Sequence, residues 1–306
     1  MYYEQSGPIY GEASAPVRWE DTLAPWLEEQ GFVRGANEKS VFYHPTRDIL
    51  ILTYVDDVMA QGDSEDIDWI FNLMDTRFEC KDYEEVKSGE TIDYLGMQVA
   101  IDGDRIYLSM EKYIENACQS LGITEGKGPA IPISDPIDTD SPPLEKSGIK
   151  QFLTAVGMLG WLNSTTRPDI SYAYSRIAQH SAHPTEASLQ AVRKCFKYLL
   201  SHKDYTLSTQ IYEDDKSIDQ LLNTEPTIDT TWRFQTDSDH AGNAEVQNKR
   251  RSQNGMIVLC NHGMVRWASK ASSVAFAAEA IGEAHADTSS GAAEIYAAGK
   301  YFMGRV

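Results

Sequence analysis

Two adjacent aspartates, Asp56 and Asp57, follow the most hydrophobic short run of the chain, residues 49–55. Neighbouring carboxylates repel each other, and burying even one of them without a partner is costly. The pair is therefore either a turn exposed to water or a site whose charge is balanced by a cation. At the bend of a hairpin both side chains can converge on divalent ions, and two metal ions about 3.5–4 Å apart clamp the attacking and leaving oxygens of phosphoryl transfer.

The segments around this pair predict how it is held. Residues 40–45 and 48–55 read as two strands joined by a tight turn, and the chain returns as a strand after the aspartates, so we expect Asp56 and Asp57 at an exposed bend. Ser64 is expected to cap a following helix. Residues 91–101 and 105–109 read as strands on either side of Asp102-Gly103, a strong hairpin signal.

The remaining segments alternate between helical and strand-like patterns. A helix is expected at 110–121 and a linker rich in proline and aspartate at 126–148. Three further helices are predicted at 149–163, 169–181 and 185–201. Three strands follow at 231–237, 254–260 and 264–269, and a last helix at 292–302. This order predicts an α+β protein with at least two domains.

Charge is distributed unevenly along the 306 residues, whose net charge is −19. Residues 1–140 carry 10 basic and 29 acidic residues, whereas residues 141–212 carry 8 basic and 4 acidic ones. An acidic protein is a poor candidate for binding nucleic acid in general, so any such contact is expected in the middle segment. There, Arg193, Lys194 and Lys197 lie at helical spacing and could face backbone phosphates.

The composition also indicates the compartment. No apolar run approaches the length that spans a membrane, and the first residues have neither the basic start nor the apolar centre of a signal peptide. The four cysteines are far apart in sequence, which is typical of free thiols in a reducing compartment. We therefore expect an intracellular protein, in a cytoplasmic particle or the nucleus, that neither enters a membrane nor is secreted.

Residues 53–57, TYVDD, resemble the Tyr-x-Asp-Asp motif of reverse transcriptases, and neighbouring segments resemble the copia-type branch of LTR retrotransposons. Residues 93–99, DYLGMQV, are similar to the primer-grip strand of that branch, and residues 106–123 to the entry into its thumb. The most specific similarity runs over residues 152–199, above all Thr-Arg-Pro-Asp-Ile at 166–170.

This resemblance implies a partial polymerase palm at 1–125, a linker at 126–148 and a helical thumb or connection at 149–212. It implies that Asp56 and Asp57 are catalytic and bind Mg²⁺ or Mn²⁺, and that the partners are an RNA/DNA template-primer and deoxynucleotides. By the same resemblance Tyr54, Tyr94 and Gly96 contact nucleic acid. Read on its own, Tyr54 is equally an ordinary strand residue.

The last third, residues 228–306, resembles a ribonuclease H domain, an α/β fold. Residues 236–242 resemble its first-strand motif, which places a metal-binding carboxylate at Asp237. Residues 287–300 resemble the helix that carries its catalytic glutamate, which falls on Glu294. The resemblance implies that these two carboxylates are catalytic and share a magnesium ion, which prefers oxygen ligands. Lys249, Arg250 and Arg251 are either a solvated loop or contacts to the phosphates of an RNA/DNA hybrid.

The sequence departs from the family pattern in three ways. The third palm carboxylate and the fingers, expected upstream of the Asp-Asp hairpin, have no counterpart, and Ala13-Ser14 stand where the family has Lys-Gln. A further ribonuclease H aspartate, expected after the last helix, is also absent. We therefore expect an internal piece of a polyprotein, truncated at both ends and incomplete in both domains, which works with the remaining parts of that polyprotein.

Two functions stay open on this basis. The chain is either an RNA-directed DNA polymerase with ribonuclease H activity that is inactive as a fragment, or a remnant without activity that binds nucleic acid or has no partner. An unrelated acidic α+β protein with chance motifs would not reproduce the ordered series of segments.

Overall fold

The computed structural model divides the chain into two compact units, and within the described residues the boundary lies between Glu85 and Val86. Each unit is described by itself. The residues that the structure describes are 15–36, 38–80, 83–103, 105–124, 127–133, 136–210, 232–238, 253–260 and 263–271.

The first unit contains two helices and four strands, which are α1 (Ala15–Glu29), β1 (Val33–Arg34), β2 (Val41–His44), β3 (Ile49–Tyr54), β4 (Asp57–Gln61) and α2 (Ser64–Phe78). The strands form an antiparallel sheet in chain order. Leu27 of α1, Ile49 and Ile51 of β3 and Ile70 of α2 are all fully buried in one apolar core. Because alternate residues of a strand face the same side, Ile49 and Ile51 fix β3 on this core.

The start of α2 differs by one residue from the sequence prediction. Asp63 occupies the N-cap position with an extended backbone, and Ser64 is already helical. Both residue types favour the cap, so the pattern alone could not select between them. Glu65 and Asp66 lie in the first turn, where negative charge is favourable beside the positive end of the helix dipole.

The second unit begins with three strands, which are β5 (Thr91–Tyr94), β6 (Met97–Asp102) and β7 (Arg105–Ser109). The sequence prediction of one strand over 91–101 is wrong, because the chain reverses at Leu95-Gly96 and β5 pairs with β6. Both turn residues have a positive φ, +50° and +77°, and glycine adopts that conformation without steric cost. The predicted turn at Asp102-Gly103 is confirmed, since β6 pairs antiparallel with β7.

Helices follow and form the largest core of the chain: α3 (Glu111–Ser120), α4 (Lys146–Thr165), α5 (Ser171–Ala178) and α6 (Glu186–Ser201), with a 3₁₀ turn at Pro168–Ile170. Ile114 of α3, Phe152 and Leu159 of α4 and Phe196 of α6 are fully buried in this core. A further strand, β8 (Leu207–Gln210), pairs with β7 and closes the sheet order β5-β6-β7-β8. The sequence did not predict β8.

A separate three-stranded sheet completes the described part of this unit, with β9 (Trp232–Ser238), β10 (Gln253–Cys260) and β11 (Gly263–Ala271). The three strands confirm the sequence prediction; their order is β9-β10-β11, and both pairings are antiparallel. The helix predicted at 292–302 lies outside the described residues. A ribonuclease H-like domain therefore stays a prediction.

The architecture confirms the α+β class. The palm segment was expected to end at residue 125, but the boundary between the two compact units falls earlier, between Glu85 and Val86. The reason is that β7 pairs with β8 and α3 packs on α6, so these elements belong to the second unit. The functional domains inferred from the sequence stay predictions. Among the described residues, the structure contains no helix that is both long and apolar enough to cross a membrane.

Candidate functional site

The Asp-Asp pair lies at the exposed end of the hairpin formed by β3 and β4, as predicted. Tyr54, the last residue of β3, pairs with Asp57, the first residue of β4, and the turn contains only Val55 and Asp56. Asp56 and Asp57 are both exposed, and neither forms an ion pair with any residue that the structure describes. The ring of Tyr54 is 59% exposed beside them.

The turn also has an unusual backbone. Val55 has a φ of +54°, which is a genuine outlier for a β-branched residue. Such conformations cost on the order of 1–3 kcal/mol each and persist where the surrounding structure imposes them. Here the buried strand β3 and its pairing with β4 fix both ends of a two-residue turn.

Two exposed carboxylates without a cationic partner can supply oxygen ligands to a hard divalent cation. Asp56 and Asp57 therefore fit part of the ligand set of a Mg²⁺ or Mn²⁺ ion. The structure groups no three or more candidate metal ligands among the residues it describes. Further ligands would have to come from substrate oxygens, water or segments outside the described residues.

Tyr94 is the last residue of β5, and Gly96 lies in the turn between β5 and β6 in the second unit. No atom lies within 4 Å of the position that a Cβ would take at Gly96, so the surface above it is open. Next to the turn, Lys112 Nζ donates a 2.6 Å hydrogen bond to Asp93, and Gln98 donates another of 2.8 Å. These two contacts, Lys112 first, lower the pKa of the Asp93 carboxyl.

The predicted basic residues of α6 are brought together on one side of that helix. The helix starts with a capping box, in which the Thr185 side chain accepts from the Ser188 backbone and the Ser188 hydroxyl accepts from the Thr185 backbone. Its apolar face is buried in the helical core. On the other side, Arg193, Lys194 and Lys197 line a cleft of about 470 Å³.

A buried network explains the most specific sequence motif, Thr-Arg-Pro-Asp-Ile. Arg167 is only 1% exposed and donates to both carboxylate oxygens of Asp169, from Nε at 2.9 Å and from Nη2 at 2.7 Å. Its Nη1 donates to the carbonyl oxygen of His202 at the end of α6. Tyr198 donates to Asp169 as well, and burial together with the Asp169 charge raises the pKa of Tyr198 to about 12. The sequence analysis gave Arg167 and Asp169 no role. The signal that could have found the pair is their spacing, with only Pro168 between an arginine and an aspartate.

Asp237 lies near the end of β9, opposite Gly255 of β10. It lines a cleft of about 540 Å³ within the second unit, together with Asp169, Tyr172 and Trp267. Trp267 is oriented by its Nε1, which donates to the carbonyl oxygen of Asn163. Glu294 and the basic cluster Lys249, Arg250 and Arg251 lie outside the described residues, so their predicted roles stay predictions.

Comparisons with known proteins agree with the resemblance seen in the sequence. Residues 3–135 match the family model for reverse transcriptase, described as an RNA-dependent DNA polymerase. The retrovirus-related Pol polyproteins from transposons RE1 and RE2 of Arabidopsis thaliana are 29% and 27% identical over 281 and 278 residues. A protein of transposon Ty5-1 from Saccharomyces cerevisiae is 28% identical over 276 residues.

These alignments cover most of this chain but different shares of the relatives. They span 86% of this chain for each Arabidopsis protein and 88% for the yeast protein. The chain corresponds to only 16% and 17% of the length of the Arabidopsis polyproteins, and to 81% of the yeast protein. No solved structure matches the chain significantly. Asp56 and Asp57 lie inside the segment that matches the family model, whereas Asp237 lies outside it.

Proposed function

Because this chain is a relative of the Pol polyproteins of copia-type retrotransposons, we propose that it carries the catalytic hairpin of an RNA-directed DNA polymerase. The observation that supports this most directly is the exposed carboxylate pair Asp56 and Asp57, which has no ion pair with a described residue and lies at the tip of a hairpin anchored in a buried core. The proposed reaction is metal-dependent nucleotidyl transfer to the primer end of an RNA/DNA template-primer, with deoxynucleotides as substrates. We expect it to take place inside the cell, in a cytoplasmic particle or the nucleus.

In this proposal the chain supplies ligands and positioning. Asp56 and Asp57 hold Mg²⁺ or Mn²⁺, which when bound supplies charge stabilisation for phosphoryl transfer. Tyr54 offers an exposed ring beside the carboxylates, against which a nucleotide can pack. The open surface above Gly96, next to Tyr94, leaves room for the primer strand. Arg193, Lys194 and Lys197 attract the phosphate backbone, a contact that gives affinity without reading sequence.

A non-catalytic role in nucleic-acid binding is the second candidate. The observation that favours it is the absence, among the described residues, of three clustered metal ligands. Removing one ligand from a two-metal site typically removes most of the catalysis, since the metals stabilise the developing charge. The basic side of α6 does not depend on the Asp-Asp hairpin, so binding could persist without chemistry.

Primer extension on an RNA template, with Mg²⁺ or Mn²⁺, separates the two candidates. The chain is assayed alone and joined to further Pol sequence, each with Asp56→Asn and Asp57→Asn, and with Asp21→Asn as the matched control at an exposed position in α1. The proposal expects extension at least in the longer protein, and its loss by a factor of 100 or more in either hairpin variant, since a metal ligand is removed. Extension that survives in Asp56→Asn, or is absent from every form, argues against catalysis by this hairpin.

Metal binding gives a readout that does not require activity. Mn²⁺ binding, followed by its paramagnetic effect on water relaxation, should weaken in Asp56→Asn and stay unchanged in Asp21→Asn. If all three proteins bind Mn²⁺ equally, the carboxylate pair is a solvated turn. Duplex binding at low salt that remains in Asp56→Asn would then support the non-catalytic candidate.

Ribonuclease H activity is a further proposal for the second unit, favoured by the antiparallel order β9-β10-β11 with Asp237 near the end of its first strand. Asp237 and Glu294 would share a Mg²⁺ ion, and Lys249, Arg250 and Arg251 would contact the hybrid. Cleavage of an RNA/DNA hybrid should be weak in this chain, rise when further Pol sequence is added, and be lost in Asp237→Asn. Cleavage that Asp237→Asn leaves intact would contradict the assignment.

A further inference from the structure

Four cations surround one cleft in the second unit. Lys127, Arg193, Lys194 and Lys197 line it, and we call it the basic cleft. The other described residues that line it are Gly122, Ile123, Thr124, Gln190 and Leu200. No carboxylate lines it among the residues that the structure describes. In a chain with a net charge of −19, such a concentration of positive charge requires an explanation.

Three of the cations are held together by α6. Arg193 and Lys197 are four residues apart and therefore neighbours on the helix surface, and like charges at this spacing destabilise a helix. Lys194 is exposed beside them. The side chains on the opposite side of α6, including Cys195 and Phe196, are fully buried and prevent the helix from turning these charges away from the cleft.

The fourth cation is brought to the cleft by a close backbone contact. The Gly128 backbone N–H donates a 2.7 Å hydrogen bond to the Ser201 hydroxyl at the end of α6. A Cβ at Gly128 would lie 2.3 Å from the carbonyl oxygen of Lys197 and 2.4 Å from that hydroxyl, so only glycine fits. This contact places the adjacent residue, Lys127, at the cleft beside Lys197.

The charges are not balanced within the described structure. None of the four cations has an ion pair or hydrogen bond with a described residue. Elsewhere in the same unit lysines do find carboxylates: Lys112 pairs with Asp93, and Lys203 pairs with Glu111 and Glu115. Mutual repulsion in the basic cleft is a cost that an anionic ligand would remove.

Size and lining point to a compact anion. The volume of about 470 Å³ lies in the range of roughly 300–1,000 Å³ typical of small-ligand sites. Among the described residues, the lining has no aromatic ring on which a base could stack, whereas Thr124 and Gln190 add hydrogen-bonding groups to the four cations. A duplex backbone presents its phosphates along an extended ridge, but this cleft is a concave recess. We propose that the basic cleft binds a polyphosphate group, either of a free nucleoside triphosphate or of the 5′-triphosphate end of an RNA.

This site shares Arg193, Lys194 and Lys197 with the backbone contact of the proposed function, so a polyphosphate and a duplex would compete for these cations. It goes beyond the polymerase reaction itself and does not depend on it. It uses no residue of the Asp-Asp hairpin, so Asp56→Asn should leave it unchanged. A failure of primer extension therefore does not bear on the basic cleft, and a failure of polyphosphate binding does not bear on the hairpin.

Calorimetric titration of the full chain with sodium tripolyphosphate at low salt tests the proposal. We expect one site per chain and at least tenfold weaker binding of inorganic phosphate. The double variant Lys127→Gln, Lys194→Gln should weaken tripolyphosphate binding at least tenfold. Lys146→Gln, Lys150→Gln is the matched control, because it removes the same charge from exposed positions on α4 outside the cleft. No binding by the parent chain, or equal losses in both double variants, would overturn the proposal.

A second variant tests the geometry rather than the charge. Gly128→Ala keeps every cation but displaces Lys127, so binding should weaken at least threefold. Gly157→Ala is its control, since a Cβ there meets no atom within 4 Å. Thermal unfolding of each variant identifies any that fail to fold. If Gly128→Ala does not fold, the comparison of the two lysine double variants decides whether the cleft binds polyphosphate. A folded Gly128→Ala chain that binds as tightly as the parent contradicts the proposed role of Lys127.

The source of the polyphosphate is resolved by competition. Adenosine triphosphate, a short RNA with a 5′-triphosphate and the same RNA with a 5′-hydroxyl are each added to the tripolyphosphate complex. Displacement by the nucleotide and by the triphosphate RNA supports a site for either source, and displacement by one of them identifies it. If the 5′-hydroxyl RNA competes as well as the triphosphate RNA, the surface binds nucleic-acid backbone and the polyphosphate proposal is wrong.

Discussion

Arg167 and Asp169 form a two-point ion pair across Pro168, with the arginine almost completely buried. Removing such a charge from water is costly, and the cost is offset only when the geometry is good and the remaining donors are satisfied. Both conditions hold, because the third guanidinium nitrogen donates to His202 and the rings of Tyr198 and Tyr205 lie 6.0 and 5.5 Å from the cation. The pair thereby ties the turn before α5 to the end of α6.

We expect Arg167→Lys to destabilise the second unit by about 3 kcal/mol, because lysine cannot donate a planar pair of hydrogen bonds and Asp169 then keeps only the Tyr198 hydroxyl of its present donors. This is the low end of the range for breaking a buried pair, since the Asp169 side chain remains 27% exposed. Urea denaturation followed by circular dichroism measures the change.

Arg47→Lys provides the control for this substitution. Arg47 also pairs with an aspartate, Asp66, but its side chain is 40% exposed, and surface pairs contribute less than about 1 kcal/mol. Equal destabilisation by the two lysine substitutions would show that the Arg167 pair contributes no more than a surface contact.

Short-range sequence patterns predicted several elements correctly. The hairpin of β3 and β4, the strands β9 to β11 and the predicted helices within the described residues follow from periodicity and short turns, and the structure contains them. The helix predicted at 292–302 lies outside the described residues. The turn at Leu95-Gly96 was missed because strand-like residues continue on both sides of it. Strand β8 was missed for a different reason: its partner, β7, lies about a hundred residues earlier, and no local pattern records that pairing.

The same distinction applies to the candidate sites. Asp56 and Asp57 could be identified from the sequence, because a charged pair after a buried strand is visible within a few residues. Lys127 could not, since its place in the basic cleft depends on Gly128 approaching α6 from a distant part of the chain. The burial of Arg167 could not be predicted from the sequence either. Arginine is almost never fully buried unless it is paired, so the usual expectation for this residue is an exposed side chain.

The cysteines should differ in reactivity towards iodoacetamide. Burial raises the pKa of Cys118 to about 11 and of Cys195 to about 12, so both stay protonated at neutral pH, and only the thiolate reacts. Partial burial, with the Asp75 charge, raises the pKa of the more accessible Cys80 as well. Cys80 should therefore be labelled before Cys118 and Cys195 in the native chain, and faster as the pH rises towards its pKa. Peptide mass mapping measures each site.

Labelling in urea supplies the control, because unfolding removes the burial that raises these pKa values. Cys80, Cys118 and Cys195 should then react at similar rates, near those of a free thiol with a pKa of about 8.5. Native labelling of Cys195 as fast as that of Cys80 would mean that α6 opens readily or is not packed as described.

The strain at Val55 predicts an unusual response to glycine. Val55→Gly should leave the free energy of unfolding unchanged or raise it by about 1 kcal/mol, because relief of a positive φ outweighs the added flexibility of glycine. Val33→Gly is the matched control, since Val33 lies in β1 with a similar exposed fraction, 49% against 47%, and no positive φ. It should cost about 0.5–1 kcal/mol.

The same substitution tests whether the strained turn positions the carboxylates. A glycine at residue 55 lets Asp56 sample more orientations, so Mn²⁺ binding should weaken even though the fold is no less stable; Val33→Gly should leave it unchanged. Thermal unfolding and Mn²⁺ titration of both variants give the comparison. If both variants lose equal stability, Val55 is not strained. If Val55→Gly binds Mn²⁺ as tightly as the parent chain, the turn does not fix the metal ligands.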